Sequence, residues 1–168
     1  MNGLSELGKT LHDEHRQTLE VMNGLEDKIL GASATRPFDP ADNDDRRRLE
    51  DLIAVVDRDT GSHFRFEEEV LFPIFDEAGA DDMTRMLIQE HEAIRTLGSQ
   101  LRVLAEAALA NGFDEAARSD FRNVAMDLTA SVTFHIQKEE MGLIGRLGYF
   151  VDPATDHRLA QRHAEYAA

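Results

Sequence analysis

Apolar residues recur at intervals of three and four through four long stretches of this chain, the spacing that lines one side of an α-helix. Leu4, Leu7, Leu11, Leu19, Met22, Leu25 and Ile29 predict a first helix from Leu4 to Leu30. The stretch Gly31 to Asn43, with Pro37 and Pro40 and no periodicity, reads as a loop. A second helix is expected from Asp42 to Asp76, with Leu49, Leu52, Ile53, Val56, His63, Glu67, Val70, Leu71 and Ile74 on one face. Pro73 should kink or fray its last turn. Gly79–Asp82 forms a short turn with an Asp cap, and a third helix follows from Asp82 to Ala110, burying Met83, Met86, Leu87, Ile94, Leu97, Leu101 and Leu104. Gly112 and Asp114 make the next turn. The fourth helix runs from Asp114 to Leu147 on the stripe Phe121, Val124, Leu128, Ser131, His135, Glu139, Leu143 and Leu147. Asp152–Pro153 opens a short, polar last helix. The expected fold is all-α: an up-down-up-down antiparallel four-helix bundle over residues 1–148, with a short C-terminal extra helix in a tail, 149–168.

Composition narrows what such a bundle can do. The chain has 168 residues, enough for one domain with a substantial core. It has no cysteine, which excludes disulfides, thiolate zinc sites and cysteine-held clusters and leaves histidine and carboxylate as the strong metal ligands. A net charge of −15 argues against nucleic acid or an anionic membrane as partner. The first residues lack the pattern of a signal peptide, and no apolar run reaches membrane-spanning length, so a cytoplasmic location is expected.

Polar residues interrupt the apolar stripes at a few positions. His63 and Glu67 are four apart, as are His135 and Glu139. His15 and His91 follow Glu14 and Glu90, so each half of the chain reads as Glu-His on one helix and His-x-x-x-Glu on the next. At 1.5 Å per residue counted from the turns, His15, His63, Glu67, His91, His135 and Glu139 all come to lie roughly 12–20 Å above the same end of the bundle. Burying four imidazoles and two carboxylates in one layer without a cation would cost many kcal/mol. A bound metal pair removes that cost. Mixed imidazole and carboxylate ligation suits iron, with manganese or zinc also possible.

The motifs Asp13–Glu14–His15, His63-x-x-x-Glu67 followed by Leu71–Phe72–Pro73, Glu90–His91–Glu92 and His135-x-x-x-Glu139 resemble the hemerythrin-like (HHE cation-binding) domain family, over about Leu4 to Leu147. The resemblance implies two iron ions in a non-haem, oxo- or hydroxo-bridged centre. His15, His63, His91 and His135 would be terminal ligands, and Glu67 and Glu139 would bridge. Two departures from the oxygen-carrying members stand out. Leu87 occupies the place of a histidine on the third helix, and those members carry their last carboxylate five residues after the histidine, where this chain has Glu140, one past Glu139. The repeated His-x-x-x-Glu spacing favours Glu139. His12 is either a further ligand or a flanking surface residue. The implied function is binding or sensing of oxygen, nitric oxide or peroxide. The alternative is an enzyme that consumes peroxide or nitric oxide, or an iron donor in cluster repair. The partner would be a small diatomic ligand or peroxide, with a protein partner left open. Glu68 and Glu69 read as solvent-facing, Thr60, Val56, Leu128 and Ser131 as lying above the metals, and His157 and His163 as a solvated face or a packing tail.

Overall fold

The computed structural model describes residues 4–30 and 38–167. Helix α1 spans Glu6–Leu30. A second long helical run, here called α2, comprises Asn43–Arg58, a π-helical turn Asp59–His63, the α-turn Phe64–Phe66, a second π-helical turn Glu67–Leu71 and the segment Phe72–Glu77. Helix α3 is Asp81–Asn111 and α4 is Glu115–Gly142. A 3-10 turn Ile144–Arg146 then leads into the short α5, Leu147–Phe150, and the last helix α6, Pro153–Tyr166. Helices α1, α2, α3 and α4 pack each against the next and α4 against α1, closing an up-down-up-down bundle. Among the described residues no helix is long and apolar enough to cross a membrane.

The boundaries follow from local chemistry. Asp42 caps α2 by accepting the backbone N–H groups of Asp44 and Asp45, and Asp114 caps α4 through the N–H of Ala117. Gly112 sits at φ +77° and Gly79 at φ +83°, a region that favours glycine, so each tight reversal falls where the sequence provides one. Part of the expected loop before α2, residues 31–37, lies outside the described residues.

Several expectations need correction. The turn before α3 has Ala80 at the cap position with no side-chain cap, and Asp81 and Asp82 stand in the first helical turn. There their charge meets the exposed N–H groups and the positive end of the helix. Helix α4 ends at Gly142 rather than Leu147. Gly142, Gly145 and Gly148 lower helix propensity there, and Leu143 turns the chain aside with φ −110°. Helix α2 is not uniformly α-helical, its two π-turns each widening the helix where a candidate ligand sits. Met86 is exposed, because Thr84 and Leu87 take the inward face of α3.

The apolar core is in two parts. One part joins Met22, Leu49, Leu52, Ile94, Leu101, Phe121 and Leu128. The other joins Leu7, Leu11, Phe66, Leu71, Phe72, Phe75, Leu87 and Leu147. Between them lies a layer of buried histidine and glutamate.

Candidate metal centre

His15, His63, Glu67, His91, His135 and Glu139 are all buried, with Glu67, His91 and Glu139 fully so. Their donor atoms form two overlapping quartets: His15, His63, Glu67 and Glu139 in one, and Glu67, His91, His135 and Glu139 in the other. Within each quartet the donors lie within 4.8 Å of one another. The two glutamates belong to both. The height count from the sequence therefore describes a real layer of the bundle.

The carboxylates divide their oxygens between the two quartets. Glu67 directs Oε1 to His63 Nε2 at 3.3 Å and Oε2 to His91 Nε2 at 3.4 Å. Glu139 directs Oε2 to His15 Nε2 at 3.2 Å and Oε1 to His135 Nε2 at 3.1 Å. None of these contacts has the alignment of a hydrogen bond. Among the described residues, the four oxygens of Glu67 and Glu139 are the buried side-chain N and O atoms without a hydrogen-bond partner. Four buried carboxylate oxygens without a hydrogen bond are costly unless a cation stands against them, and two converging carboxylates suit a metal ion in that place.

The imidazole spacing fits the same partner. His15 Nε2 and His63 Nε2 lie 3.2 Å apart, and His91 Nε2 and His135 Nε2 lie 3.0 Å apart. Two nitrogens bonded at right angles to one metal, with bonds of about 2.1 Å, are about 3 Å apart.

Each imidazole is oriented from behind by a second glutamate. Glu14 accepts from His63 Nδ1 at 2.7 Å, Glu68 from His91 Nδ1 at 2.6 Å, Glu90 from His135 Nδ1 at 3.0 Å and Glu140 from His15 Nδ1 at 2.8 Å. Hydrogen bonding at Nδ1 fixes the tautomer that frees Nε2 for a metal. The pattern is cyclic: α1 serves α2, α2 serves α3, α3 serves α4 and α4 serves α1. Sequence reasoning set Glu68 aside as solvent-facing and gave Glu14 and Glu90 no role beyond the Glu-His repeat. The signal was present, since each outer glutamate is the immediate neighbour of an inward residue. One position along a helix is a turn of about 100°, which aims the neighbour at the adjoining helix.

Of the two neighbouring carboxylates, Glu139 lies inside the layer and Glu140 outside it. His12 belongs to neither quartet. It is half-exposed, with Nδ1 3.0 Å from the Glu140 carboxylate.

Without metal the layer is a set of opposed charges. Burial alone would push the His15 and His91 imidazoles down, but contact with Glu139 and Glu140 holds His15 at about 9, and contact with Glu139 and Glu67 holds His91 at about 9. Burial opposes the charged form of His63 and His135 as well, and is outweighed by the charge of Glu67 on His63 and of Glu139 on His135. Burial and the charge of Glu139 both act to raise Glu67, yet the imidazolium of His63 leaves it below the usual range. Glu139 is held well below that range, burial being outweighed chiefly by His135.

The surroundings are aromatic on one side. Phe64 stacks on His91 with ring centroids 3.7 Å apart, and Phe72 lies 5.6 Å from the same imidazole. Phe134 on α4 is 63% exposed and takes no part in the layer. A cavity of about 10 Å³ touches the layer, lined in part by His15, His63, Asp59, Phe64, Val132 and Ile136. Thr60, Val56, Leu128 and Ser131 are not among the residues that line this cavity. A surface groove along α1, lined by His12, Leu19, Ile136 and Glu140 among others, reaches His15 from outside. His163, expected on a solvated face or in a packing tail, packs: it is buried and lies 3.2 Å from Glu14 through Nε2. His157 is exposed, beside Glu6.

The family model of the hemerythrin HHE cation-binding domain matches residues 6–147, from the start of α1 to the start of α5. No curated protein matches the chain.

Proposed function

Because the chain belongs to the hemerythrin HHE cation-binding domain family, we propose that its two quartets hold a pair of iron ions at which oxygen, nitric oxide or peroxide is bound or sensed. The observation that carries this reading is the division of each inner carboxylate, one unpaired oxygen toward each pair of imidazoles. In this assignment His15 and His63 would hold one ion and His91 and His135 the other, with Glu67 and Glu139 available to both. Manganese or zinc would satisfy the same donors less specifically.

When bound, the ion pair supplies Lewis acidity and redox change at a small ligand. The rest is done by the chain. Glu14, Glu68, Glu90 and Glu140 fix the imidazoles, so that the donors are placed before any metal arrives. Phe64 and Phe72 cover the His91 side and keep water from it. The adjoining cavity, about 10 Å³, is at the lower limit for one water molecule, so it favours a small ligand over a large substrate. Four protein donors per ion, with two shared, leave positions free for such a ligand. The strongly acidic chain, without cysteine, fits a cytoplasmic protein whose partner is this small molecule and not nucleic acid.

One observation favours turnover over simple binding. Asp59, buried on the cavity wall, is a carboxylate held by Thr18 Oγ1 at 2.7 Å and by the Arg58 guanidinium at 2.7 Å. A fixed polar group beside the ligand suits an enzyme that consumes peroxide or nitric oxide. The groove reaching His15 is the exit that the alternative of iron donation to damaged clusters needs.

Metal analysis of protein from iron-replete cells, with optical spectra before and after oxygen, tests the main reading. Two irons per chain and a spectrum that changes with oxygen, nitric oxide or peroxide are expected. Absence of bound metal would overturn it. Oxygen evolution on adding hydrogen peroxide would select the enzymatic version.

A further inference from the structure

The four outer glutamates each have a second, cationic or imidazole partner on the side away from the metal layer. Glu68 is held by Arg95 Nη2 at 2.9 Å, Glu90 by Lys138, and Glu140 by His12 Nδ1 at 3.0 Å. These three partners come from α3, α4 and α1, all within the four-helix bundle. The fourth does not. Glu14 Oε2, which accepts from His63, also accepts from His163 Nε2 at 3.2 Å, and His163 belongs to α6. Helix α6 follows residue 147, where the family match ends.

This contact is part of a continuous docking face. Asp156, the pair Leu159–Ala160, His163 and Tyr166 lie three or four residues apart along α6 and so share one face. Asp156 is buried and accepts the backbone N–H of Glu6 at 2.6 Å and of Leu7 at 3.2 Å, capping α1 from another helix. Leu159 and Ala160 join the apolar cluster of Leu7, Leu11 and Phe66. The His163 ring meets the Phe66 ring edge-on at 4.8 Å, and Tyr166 donates its hydroxyl to Glu69 at 2.6 Å. Phe66 directly precedes Glu67, so the same face touches α1 beside His15 and α2 beside the inner carboxylate.

We propose that α6 is an integral part of the metal centre, with His163 a positioning residue that holds Glu14 and, through it, the His63 imidazole. The inference rests on the two-metal reading above. It assigns the centre an asymmetry: the His15–His63 side depends on a helix outside the bundle, while the His91–His135 side depends on Lys138 and Arg95 within it. Linkage makes the dependence reciprocal, so an ion that fixes His63 also tightens the docking of α6.

The test is an anaerobic titration of the metal-free full chain with ferrous iron against a competing chelator. It compares wild type, His163→Ala, His163→Gln, Lys138→Met and the double variant His163→Ala/Lys138→Met. Loss of an outer-shell partner costs about 10- to 100-fold in metal affinity. His163 stands one contact further out than such a partner, so His163→Ala should weaken one of two ions by up to about 10-fold, the low end of that range, and leave the other at wild-type affinity. The Gln variant, whose side-chain N–H can reach Glu14, should restore it. Lys138→Met should weaken one ion, and the double variant both. Two ions of unchanged affinity in His163→Ala, or equal weakening of both, overturns the inference while leaving the two-metal reading intact. A wild-type chain that takes up no iron overturns both. A second measurement needs no variant: backbone amides of residues 153–166 should exchange more slowly in the iron-loaded wild type than in the metal-free protein. Equal exchange in the two states overturns the inference.

Discussion

Glu67 and Glu139 each face both pairs of imidazoles, whereas each histidine faces one, so their removal should have different consequences. Glu139→Ala is expected to abolish binding of both ions, and His135→Ala to remove one and leave the His15–His63 side loaded. Metal content per chain after desalting distinguishes these, and equal losses in the two variants would refute the shared role of Glu139. Phe64 makes a different contribution. It is nearly fully buried and stacked on His91, so Phe64→Ala should cost about 3–5 kcal/mol by the transfer and cavity terms for a core Phe. Urea denaturation of the metal-free variant measures this directly. At this scale the inner ligands were legible because each replaces an apolar residue on a helical stripe, and a polar group there has few explanations. The outer glutamates were harder to read, because Glu68 and Glu140 share a Glu-Glu pair with an inner ligand and composition does not say which of two neighbours turns inward. The heptad-like position does: Glu67 and Glu139 are four residues from a histidine, and their neighbours are five.

Helix α6 contributes to the start of α1 as well as to Glu14. Asp156→Ala removes the acceptor of two N–H groups at the first turn of α1, and an N-cap of this kind contributes about 1 kcal/mol. Its expected effect is a lower urea midpoint with unchanged slope, together with faster amide exchange at Glu6 and Leu7. Unchanged exchange at those two residues would show that the cap is not maintained in solution. The four long helices and their turns could be read from periodicity, from Gly79 and Gly112, and from Asp42 and Asp114. Docking of α6 could not, because two of its anchors, Asp156 and His163, are polar residues that on a short amphipathic helix resemble a solvated face. The π-turns of α2 were also hidden. A π-turn adds one residue to a turn but carries no composition of its own, and the apolar stripe resumes beyond it.

For the molecule as a whole, the charges of the metal-free layer give stability a definite pH dependence. His15 and His91 are held at about 9 in the folded protein, against an ordinary value of 6.5. The stabilisation this represents is complete below pH 6.5 and is lost as pH rises through about 9, on the order of 3 kcal/mol for one such imidazole. The inner carboxylates act oppositely: they are depressed from 4.5, so their contribution is present above that pH and fades as pH falls through their lower folded values. Metal-free protein should therefore melt at progressively lower temperature from pH 6.5 to 9. Iron must displace these protons, so its affinity should rise over the same interval, and the gain in melting temperature on loading should be larger at pH 9 than at pH 6.5. Thermal scans of both forms at the two pH values check this, and a pH-independent gain would contradict it.

The cyclic order of the outer glutamates gives the centre a direction around the bundle axis. Two of the four links, α1 to α2 and α3 to α4, join helices within one half of the chain. The other two, Glu68 to His91 and Glu140 to His15, pass between halves. Each half thus carries one complete pairing and one unmet need that the opposite half supplies, and each inner carboxylate is likewise shared. Neither half can assemble a finished pocket from its own residues. The site works as a clasp, fastening the first helical hairpin to the second, so that an ion entering it ties together two parts of the chain that could otherwise breathe apart.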